Sequence, residues 1–332
     1  MSELELIAQI RKGFARPGGS RVELGIGDDC AILRVDGEMV VTTDLLLEGR
    51  HFRRDLHSPD SVGHRCIARG LSDIAAMGAD PVAAFLSLGL PAKTMKNSAE
   101  RRWLARFLDG LRWLADASGV VLAGGDTGEV AGVEMVADIV LIGRAPAGTA
   151  LRRSGARAGD GIYVTGALGG AAAELEAMLA GRGRRVRRKG VAGAQPQSYP
   201  EPRLKVGAKL RRLGLATSCM DLSDGLSTDL RHLCEASGAA AEVWAERLPV
   251  HPLAASLGGE RALRLALDGG EDYELLFTAG AGVRVPGRVG GVGVTRIGKM
   301  VAWRKGRPMV VLVEGDGSRG ELKAGGWEHF RA

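Results

Sequence analysis

The stretch Glu38-Met39-Val40-Val41-Thr42-Thr43-Asp44 contains a run of β-branched residues that closes on an acid. β-Branched side chains favour extended backbone, so this run predicts a strand that ends at Asp44. The stretch Ser218-Cys219-Met220-Asp221, in the second half of the chain, shows the same pattern of a predicted strand that ends at an aspartate. Apolar strands that end at acidic residues therefore occur in both halves.

Helix and strand signals alternate on both sides of this run. Ser58-Pro59 provides an N-cap and a first-turn proline for a helix over 59–77. The other elements predicted in the first half are helices over 4–11 and 98–118 and strands over 22–26, 31–35, 82–90, 120–123 and 133–142. This alternation predicts an α/β layered fold.

A break rich in Pro, Gly and Arg over 144–159 predicts a domain boundary near residue 150. We expect an N-terminal domain of residues 1–150 and a C-terminal domain of residues 151–332, in keeping with about 150 residues per domain. In the second domain we predict strands over 161–165, 217–220 and 273–278, helices over 204–213 and 226–236, and a hairpin or meander over 289–313.

The net charge of +6 has a local origin. The ten residues 181–190 contain six cations and no acid: Arg182, Arg184, Arg185, Arg187, Arg188 and Lys189. Outside this run the charges balance, so we favour a solvated loop or helix extension over an RNA or anionic-partner surface. Aromatic residues make up only 4% of the chain, which disfavours a base-stacking surface and a nucleic-acid partner.

The compartment follows from the cysteines and the N-terminus. The four cysteines form no Cys-x-x-Cys pair, which excludes the common zinc frameworks and indicates reduced thiols. The first five residues contain acids where a signal peptide needs cations, and no run of 18 apolar residues follows. We therefore expect a cytoplasmic protein with no membrane partner.

Aspartates beside Gly, Ser or Thr are the main chemical feature: Asp28, Asp29, Asp44, Asp73, Asp126, Asp221 and Asp224. Singly, each is more often a cap or turn residue than a ligand. If several converge, their repulsion requires a cation or protonation, and oxygen ligands without His or Cys select magnesium or manganese.

Two glycine-rich stretches are candidate phosphate-binding loops. The stretch 293–299 has Walker-type glycines, but Met300 stands where Ser or Thr must bind magnesium, so we reject it. Gly166-Ala167-Leu168-Gly169-Gly170 lies between a predicted strand and helix, where amides could bind an anion or simply allow close packing. Arg153 is either a phosphate partner or a surface charge. Without a nucleophile pair, metal-assisted phosphoryl transfer fits best.

Taken as a set, the motifs resemble the thiamine-monophosphate kinase family, whose fold is shared with aminoimidazole ribonucleotide synthetase. They span nearly the whole chain: Gly27-Asp28-Asp29-Cys30-Ala31, Thr42-Thr43-Asp44, Glu48-Gly49-Arg50-His51-Phe52, Leu71-Ser72-Asp73-Ile74, Gly124-Gly125-Asp126-Thr127, Arg153-Ser154-Gly155-Ala156, Met220-Asp221-Leu222-Ser223-Asp224-Gly225 and Gly269-Gly270-Glu271-Asp272-Tyr273.

The resemblance implies a two-domain aminoimidazole ribonucleotide synthetase-like fold of the α/β (α+β) class, in which the N-terminal sheet and helices form the dimer and the nucleotide site. It implies ATP- and Mg²⁺-dependent phosphorylation of thiamine monophosphate to thiamine diphosphate by direct in-line transfer in a homodimer, with no catalytic side chain. By this resemblance the metal ligands are Asp29, Thr42, Thr43, Asp44, Asp73, Asp126, Asp221 and Asp224. Gly125, Asp126, Arg153 and Ser223 would bind ATP, and His51, Glu271 and Trp327 would bind thiamine monophosphate.

Three features depart from the family, and two alternatives stay open. Leu108 stands where the family usually has a Tyr that contacts ATP, Gly70 stands where it usually has an Asn, and the basic run 182–189 is not a family feature. One alternative is another ATP-dependent synthetase of the same superfamily. The other is a noncatalytic RNA- or anion-binding protein that uses the basic run.

Overall fold

The computed structural model describes residues 3–14, 21–24, 26, 30–181 and 194–327. The chain forms two compact units. The N-terminal unit contains Met1–Ile74 and Ala79–Gly148, and the C-terminal unit contains Ala75–Gly78 and Thr149–Ala332. Each unit is built on its own sheet, so the fold is mixed α/β.

The N-terminal unit is a four-stranded sheet with helices. Its elements are α1 (Glu3–Phe14), β1 (Val22–Leu24), β2 (Ile32–Leu33), β3 (Glu38–Leu47), α2 (Pro59–Ala76), β4 (Asp80–Pro91), α3 (Lys93–Lys96), α4 (Ser98–Ser118), β5 (Val121–Val130) and β6 (Val136–Ala145). The strand order is β3-β6-β4-β5, and only β4 and β5 run parallel. β1 and β2 form a separate antiparallel pair.

Helix α2 covers one face of this sheet at close range. A Cβ on Gly70 of α2 would lie 2.7 Å from Cδ1 of Leu141 on β6, so a larger residue would push the helix away from the sheet. Helix α4 packs behind α2, and there a Cβ on Gly63 would lie 1.8 Å from the carbonyl oxygen of Phe107. Close packing therefore fixes α2 on the sheet.

The opposite face of β3 remains open. Because successive side chains of a strand point to opposite faces, Met39, Val41 and Leu45 lie on the side away from α2. These three side chains are 57%, 59% and 52% exposed in the single chain. The edge strand thus presents a row of apolar side chains.

The C-terminal unit contains a larger sheet. Its elements are β7 (Gly161–Thr165), α5 (Gly170–Leu179), α6 (Leu204–Arg212), β8 (Ser218–Asp221), α7 (Leu226–Ser237), β9 (Ala239–Trp244), α8 (Pro252–Ala255), α9 (Gly259–Asp268), β10 (Leu275–Ala279), β11 (Arg288–Val289), β12 (Val292–Ala302), β13 (Val310–Val313) and β14 (Arg319–Glu321). The strand order is β14-β13-β9-β12-β7-β10-β8, with β11 paired to β12.

A short piece of the first half of the chain belongs to the C-terminal unit. Ala75 and Ala76, at the end of α2, pack in a buried cluster with Leu210 and Phe277. The contact is close, because a Cβ on Gly207 of α6 would lie 1.8 Å from the carbonyl oxygen of Ala75. The chain therefore passes through the second unit before it completes the first.

Several predicted elements are confirmed, among them the helix Ser98–Ser118 and the strand Gly161–Thr165. Two predicted strand ends are wrong. β3 continues through Asp44 to Leu47, because Leu45 and Leu47 extend its apolar alternation, and β5 continues through Gly124-Gly125-Asp126. The segment 289–313 begins with the predicted hairpin, in which β11 pairs antiparallel with β12, but it does not continue as a meander, since β12 and β13 both pair with β9.

Some predictions concern residues that the structure does not describe. Asp28, Asp29 and the basic run 182–189 lie outside the described residues. Among the residues that the structure describes, no helix is long and apolar enough to cross a membrane.

Candidate active site

A cluster of acids and hydroxyls joins β3 to α2 in the N-terminal unit. Oγ1 of Thr42 donates a hydrogen bond to Oδ2 of Asp73 at 2.5 Å. Asp44, on the same face as Thr42, lies 3.4 Å from Nη2 of Arg69. The strand supplies one part of the cluster and the last turns of α2 the other.

The pKa of Asp44 is raised from its ordinary value to about 6. Burial is the largest cause, Arg69 opposes it, and the charges of Asp73 and Asp138 add to it. Because like charges disfavour the ionised form, a cation at this point would stabilise the carboxylates. The local electrostatics therefore favour a bound cation.

Asp138 is a site candidate that the sequence analysis missed. Its Oδ1 accepts a hydrogen bond from Oγ1 of Thr43 at 2.7 Å, on the open face of the sheet. Ser87 of β4 pairs with both Asp138 and Asp126, so the two acids share this face with one strand between them. The signal was present in the sequence, since Asp138 is the only acid in the apolar strand β6.

Gly125 holds a conformation that other residues rarely adopt. Its φ is +152°, and an added Cβ would lie 1.9 Å from the carbonyl oxygen of Leu86 on β4. Only glycine fits, which places the exposed Asp126 beside β4. Leu108 of α4 is only 7% exposed and belongs to the core of the unit.

His51 lies in the turn that follows β3. Its Nδ1 accepts a hydrogen bond from the backbone N–H of Leu47 at 3.0 Å, and its carbonyl oxygen accepts one from Nη1 of Arg65 at 2.7 Å. An accepting Nδ1 places the proton of the neutral ring on Nε2. His51 is thus oriented as an Nε2 donor.

The second group of candidate residues surrounds the end of β8 in the C-terminal unit. Asp221 closes the strand and Asp224 lies in the turn that begins α7. The backbone N–H groups of Asp224 and Gly225 both donate to Oδ2 of Asp229, at 3.1 Å each. Burial first, and then the charges of Asp221 and Asp224, raise the pKa of Asp229 to about 8.

Two of the predicted substrate residues are hydrogen-bonded to this turn. The N–H of Glu271 donates to the carbonyl oxygen of Ser223 at 2.8 Å, and the N–H of Trp327 donates to that of Asp224 at 3.0 Å. The Trp327 side chain is 53% exposed. The C-terminal unit therefore brings Asp221, Ser223, Asp224, Glu271 and Trp327 together.

The backbone amides of the glycine loop before α5 (residues 166–170) are bound by a side chain of the protein itself. The carboxylate of Asp272 accepts hydrogen bonds from the N–H groups of Gly169 at 2.6 Å and Ala171 at 3.1 Å. Of the two interpretations of this loop, the structure supports a packing and capping role. Burial raises the pKa of Asp272 to about 7 in spite of these two donors.

Arg153 lies apart from the turn after β8. Its carbonyl oxygen accepts a hydrogen bond from Oγ of Ser237, at the opposite end of α7 from Ser223, and its side chain is exposed. In the described part of the chain, no group of three or more His, Cys, Asp or Glu side chains is arranged to hold a metal ion.

Comparison with known proteins identifies the family. The family described as AIR synthase related protein, N-terminal domain, matches residues 27–145. The chain is 40% identical to the thiamine-monophosphate kinase of Escherichia coli (strain K12), over 99% of this chain and 98% of that relative.

Solved structures agree. The crystal structure of thiamine-monophosphate kinase from Stenotrophomonas maltophilia K279a has a TM-score of 0.78 and 34% identity, and covers 96% of this chain and 98% of that one. AaThiL complexed with AMPPCP and TMP has a TM-score of 0.74 and 29% identity, with 99% and 97% covered. The sequence motifs, the two-unit fold and this nearly full-length similarity lead to one conclusion: the chain belongs to the thiamine-monophosphate kinase family.

Proposed function

We propose that this thiamine-phosphate kinase works by direct, magnesium-assisted, in-line transfer, as the last step of thiamine diphosphate biosynthesis. The protein phosphorylates thiamine monophosphate to thiamine diphosphate. ATP is the proposed phosphoryl donor, since the related AaThiL was solved with AMPPCP and TMP. The phosphate of the acceptor is already anionic at neutral pH, so the reaction needs no strong general base.

The observation that carries the metal proposal is the oxygen-only donor set around Asp44. Its raised pKa, caused by burial and by neighbouring acids, indicates a site that a cation would stabilise. Oxygen donors match magnesium. The proposed ligands are Asp29, Thr42, Thr43, Asp44, Asp73, Asp126, Asp221 and Asp224, of which Asp29 lies outside the described residues. When bound, magnesium would neutralise the charge of the transferring phosphoryl group.

The substrate contacts are proposed from the character of each residue. Gly125, Asp126, Arg153 and Ser223 would bind ATP, Arg153 through its exposed guanidinium. His51, whose Nε2 carries the proton, would donate to the phosphate of thiamine monophosphate. Glu271 would face the cationic thiazolium, and the exposed ring of Trp327 would stack on the substrate.

We propose that the N-terminal unit forms a homodimer through the open face of its sheet. Met39, Val41 and Leu45 form a row of exposed apolar side chains on β3. Such a row on a monomer marks an interaction surface. A second copy of the chain is the simplest partner, because a two-fold interface uses the same patch twice.

The test is ADP release from ATP, measured with thiamine monophosphate, free thiamine and a panel of ribonucleotide precursors offered separately, with and without magnesium. We expect ADP and thiamine diphosphate only with thiamine monophosphate and magnesium. Turnover with an amide or ribonucleotide substrate instead would overturn the proposed reaction. Equal turnover after complete magnesium removal would overturn the metal proposal alone.

A further inference from the structure

A buried amide contacts the predicted substrate residue Glu271. Nε2 of Gln197 donates a hydrogen bond to Oε2 of Glu271 at 2.9 Å. The Gln197 side chain is buried, only 2% exposed, whereas Glu271 is half-buried. A carboxylate with one oxygen bound in this way presents its other oxygen in a defined direction.

Gln197 is itself held by helix α5. Oε2 of Glu174 accepts a hydrogen bond from the N–H of Gln197 at 2.8 Å, and Oε1 accepts one from Oγ of Ser198 at 2.5 Å. The same helix has its first turn bound by Asp272, the residue after Glu271. Helix α5, Gln197 and the loop that carries Glu271 therefore form a closed ring of contacts.

The backbone of Glu271 shows why such support is needed. Its φ is +66°, a left-handed conformation that is uncommon for residues other than glycine. Unfavourable backbone conformations persist where surrounding contacts hold them. The contact of the Glu271 N–H with Ser223 fixes the backbone, and the Gln197 amide fixes the carboxylate.

We propose that Gln197 is a positioning residue for thiamine monophosphate, acting through Glu271. This inference rests on the proposed function, in which Glu271 binds that substrate. The neutral amide leaves Glu271 its negative charge and restrains it at one oxygen. An acidic residue at position 197 would repel Glu271, and an apolar one would remove this hydrogen bond to its carboxylate.

The experiment compares Gln197→Met, which keeps the length of the side chain but loses the donor, with Gln195→Met. Within the described residues, the structure gives the Gln195 side chain no hydrogen bond, so this variant is a matched control. For Gln197→Met we expect a KM for thiamine monophosphate about tenfold higher, or about 1.4 kcal/mol, with kcat and the KM for ATP within about twofold of wild type. Gln195→Met should match wild type.

A double-mutant cycle with Glu271→Ala separates positioning from general damage. If Gln197 acts through Glu271, Gln197→Met should add nothing to the KM of Glu271→Ala. Additive effects, or an unchanged KM in Gln197→Met alone, would overturn the proposal. If Glu271→Ala itself leaves the KM unchanged, the substrate role of Glu271 is wrong as well. Should Gln197→Met not fold, Gln197→Asn tests the same contact, since its amide is one methylene too short.

Discussion

Oγ1 of Thr42 donates a 2.5 Å hydrogen bond to Oδ2 of Asp73, which ties strand β3 to the last turn of helix α2. The bond fixes one oxygen of an acid near the end of a helix, where its charge opposes the helix dipole. The Thr42 hydroxyl therefore orients the Asp73 carboxylate, and by donating to it also offsets the unfavourable interaction of its charge with the helix dipole.

Loss of this bond should weaken magnesium use. For Thr42→Val we expect activity about 10- to 100-fold lower at limiting magnesium, the range for loss of a hydrogen bond that orients a metal ligand. Partial recovery should follow at high magnesium, measured as ADP release in a magnesium titration. Thr94→Val is the control, since it removes a buried hydroxyl of the same unit that has no hydrogen-bond partner among the described residues. An unchanged magnesium half-saturation in Thr42→Val would contradict this role.

Asp44 and Asp224 represent the acid groups of the two units. We expect Asp44→Asn and Asp224→Asn each to lower kcat by at least about 100-fold, because each loses a charge that would face the magnesium and phosphate. The near-ultraviolet circular dichroism of both variants should match that of wild type. Turnover retained in both variants would refute the metal-ligand assignment.

Asp272 should make stability depend on pH. Its pKa in the folded protein is raised to about 7 from an ordinary value of 3.8, so the folded state holds a proton that the unfolded state has released. The stabilisation is full below about pH 4 and is lost as the pH rises through 7, by at most about 1.4 kcal/mol per pH unit.

In the variant Asp272→Asn the side chain at position 272 cannot ionise, so this variant should not lose stability through that group as the pH rises. The measurement is urea unfolding of both proteins between pH 4 and 8, with the difference between them plotted against pH. Other titrating groups cancel in that difference. A constant difference would show that Asp272 does not titrate in this window.

The ion pair between the half-buried Arg203 and the buried Glu274 is bidentate, with contacts of 2.5 and 2.7 Å. Arg203→Met leaves the buried carboxylate of Glu274 without its cation, with only the hydroxyl of Thr165 still donating to it, and we expect a loss of about 3 to 5 kcal/mol in the free energy of unfolding. Arg231→Met, which removes an exposed pair with Glu235, should cost less than about 0.5 kcal/mol. Equal losses in the two variants, measured by urea unfolding, would contradict the argument from burial.

The open face of β3 gives a test of the dimer. Val41→Lys places a charge in the apolar row, so we expect a monomer by analytical ultracentrifugation at concentrations where wild type is a dimer. Val133→Lys is the control, because Val133 is similarly exposed, at 65% against 59% for Val41, but lies outside the strands of the described residues. If the variant Val41→Lys remains a dimer, the dimer interface does not lie on the open face of β3.

The sequence predicted the alternating architecture well, because long periodic segments such as the helix Ser98–Ser118 fix their own class. The predicted end of β3 at Asp44 is wrong, because Asp44 pairs with Ile139 inside the strand. Acidity alone does not end a strand when the next apolar residues continue its alternation.

The site was predicted less completely. The aspartates were identified as a set, but Asp138 was missed because one acid within an apolar strand is typical of a solvent-facing position. Gln197 was missed because nothing in its neighbours indicates that its partner is Glu271, 74 residues away. Long-range pairs of this kind depend on sheet order, which local patterns do not determine.

Ala75–Gly78 belongs to the C-terminal unit although it precedes half of the N-terminal one. During synthesis, the end of α2 leaves the ribosome long before Leu210 and Phe277, the residues that bury Ala75 and Ala76. The apolar end of α2, at Ala75 and Ala76, therefore stays exposed to solvent until most of the chain has been synthesised. A fragment that stops at Gly148 would retain that exposed end permanently, so the two units are poor candidates for separate expression.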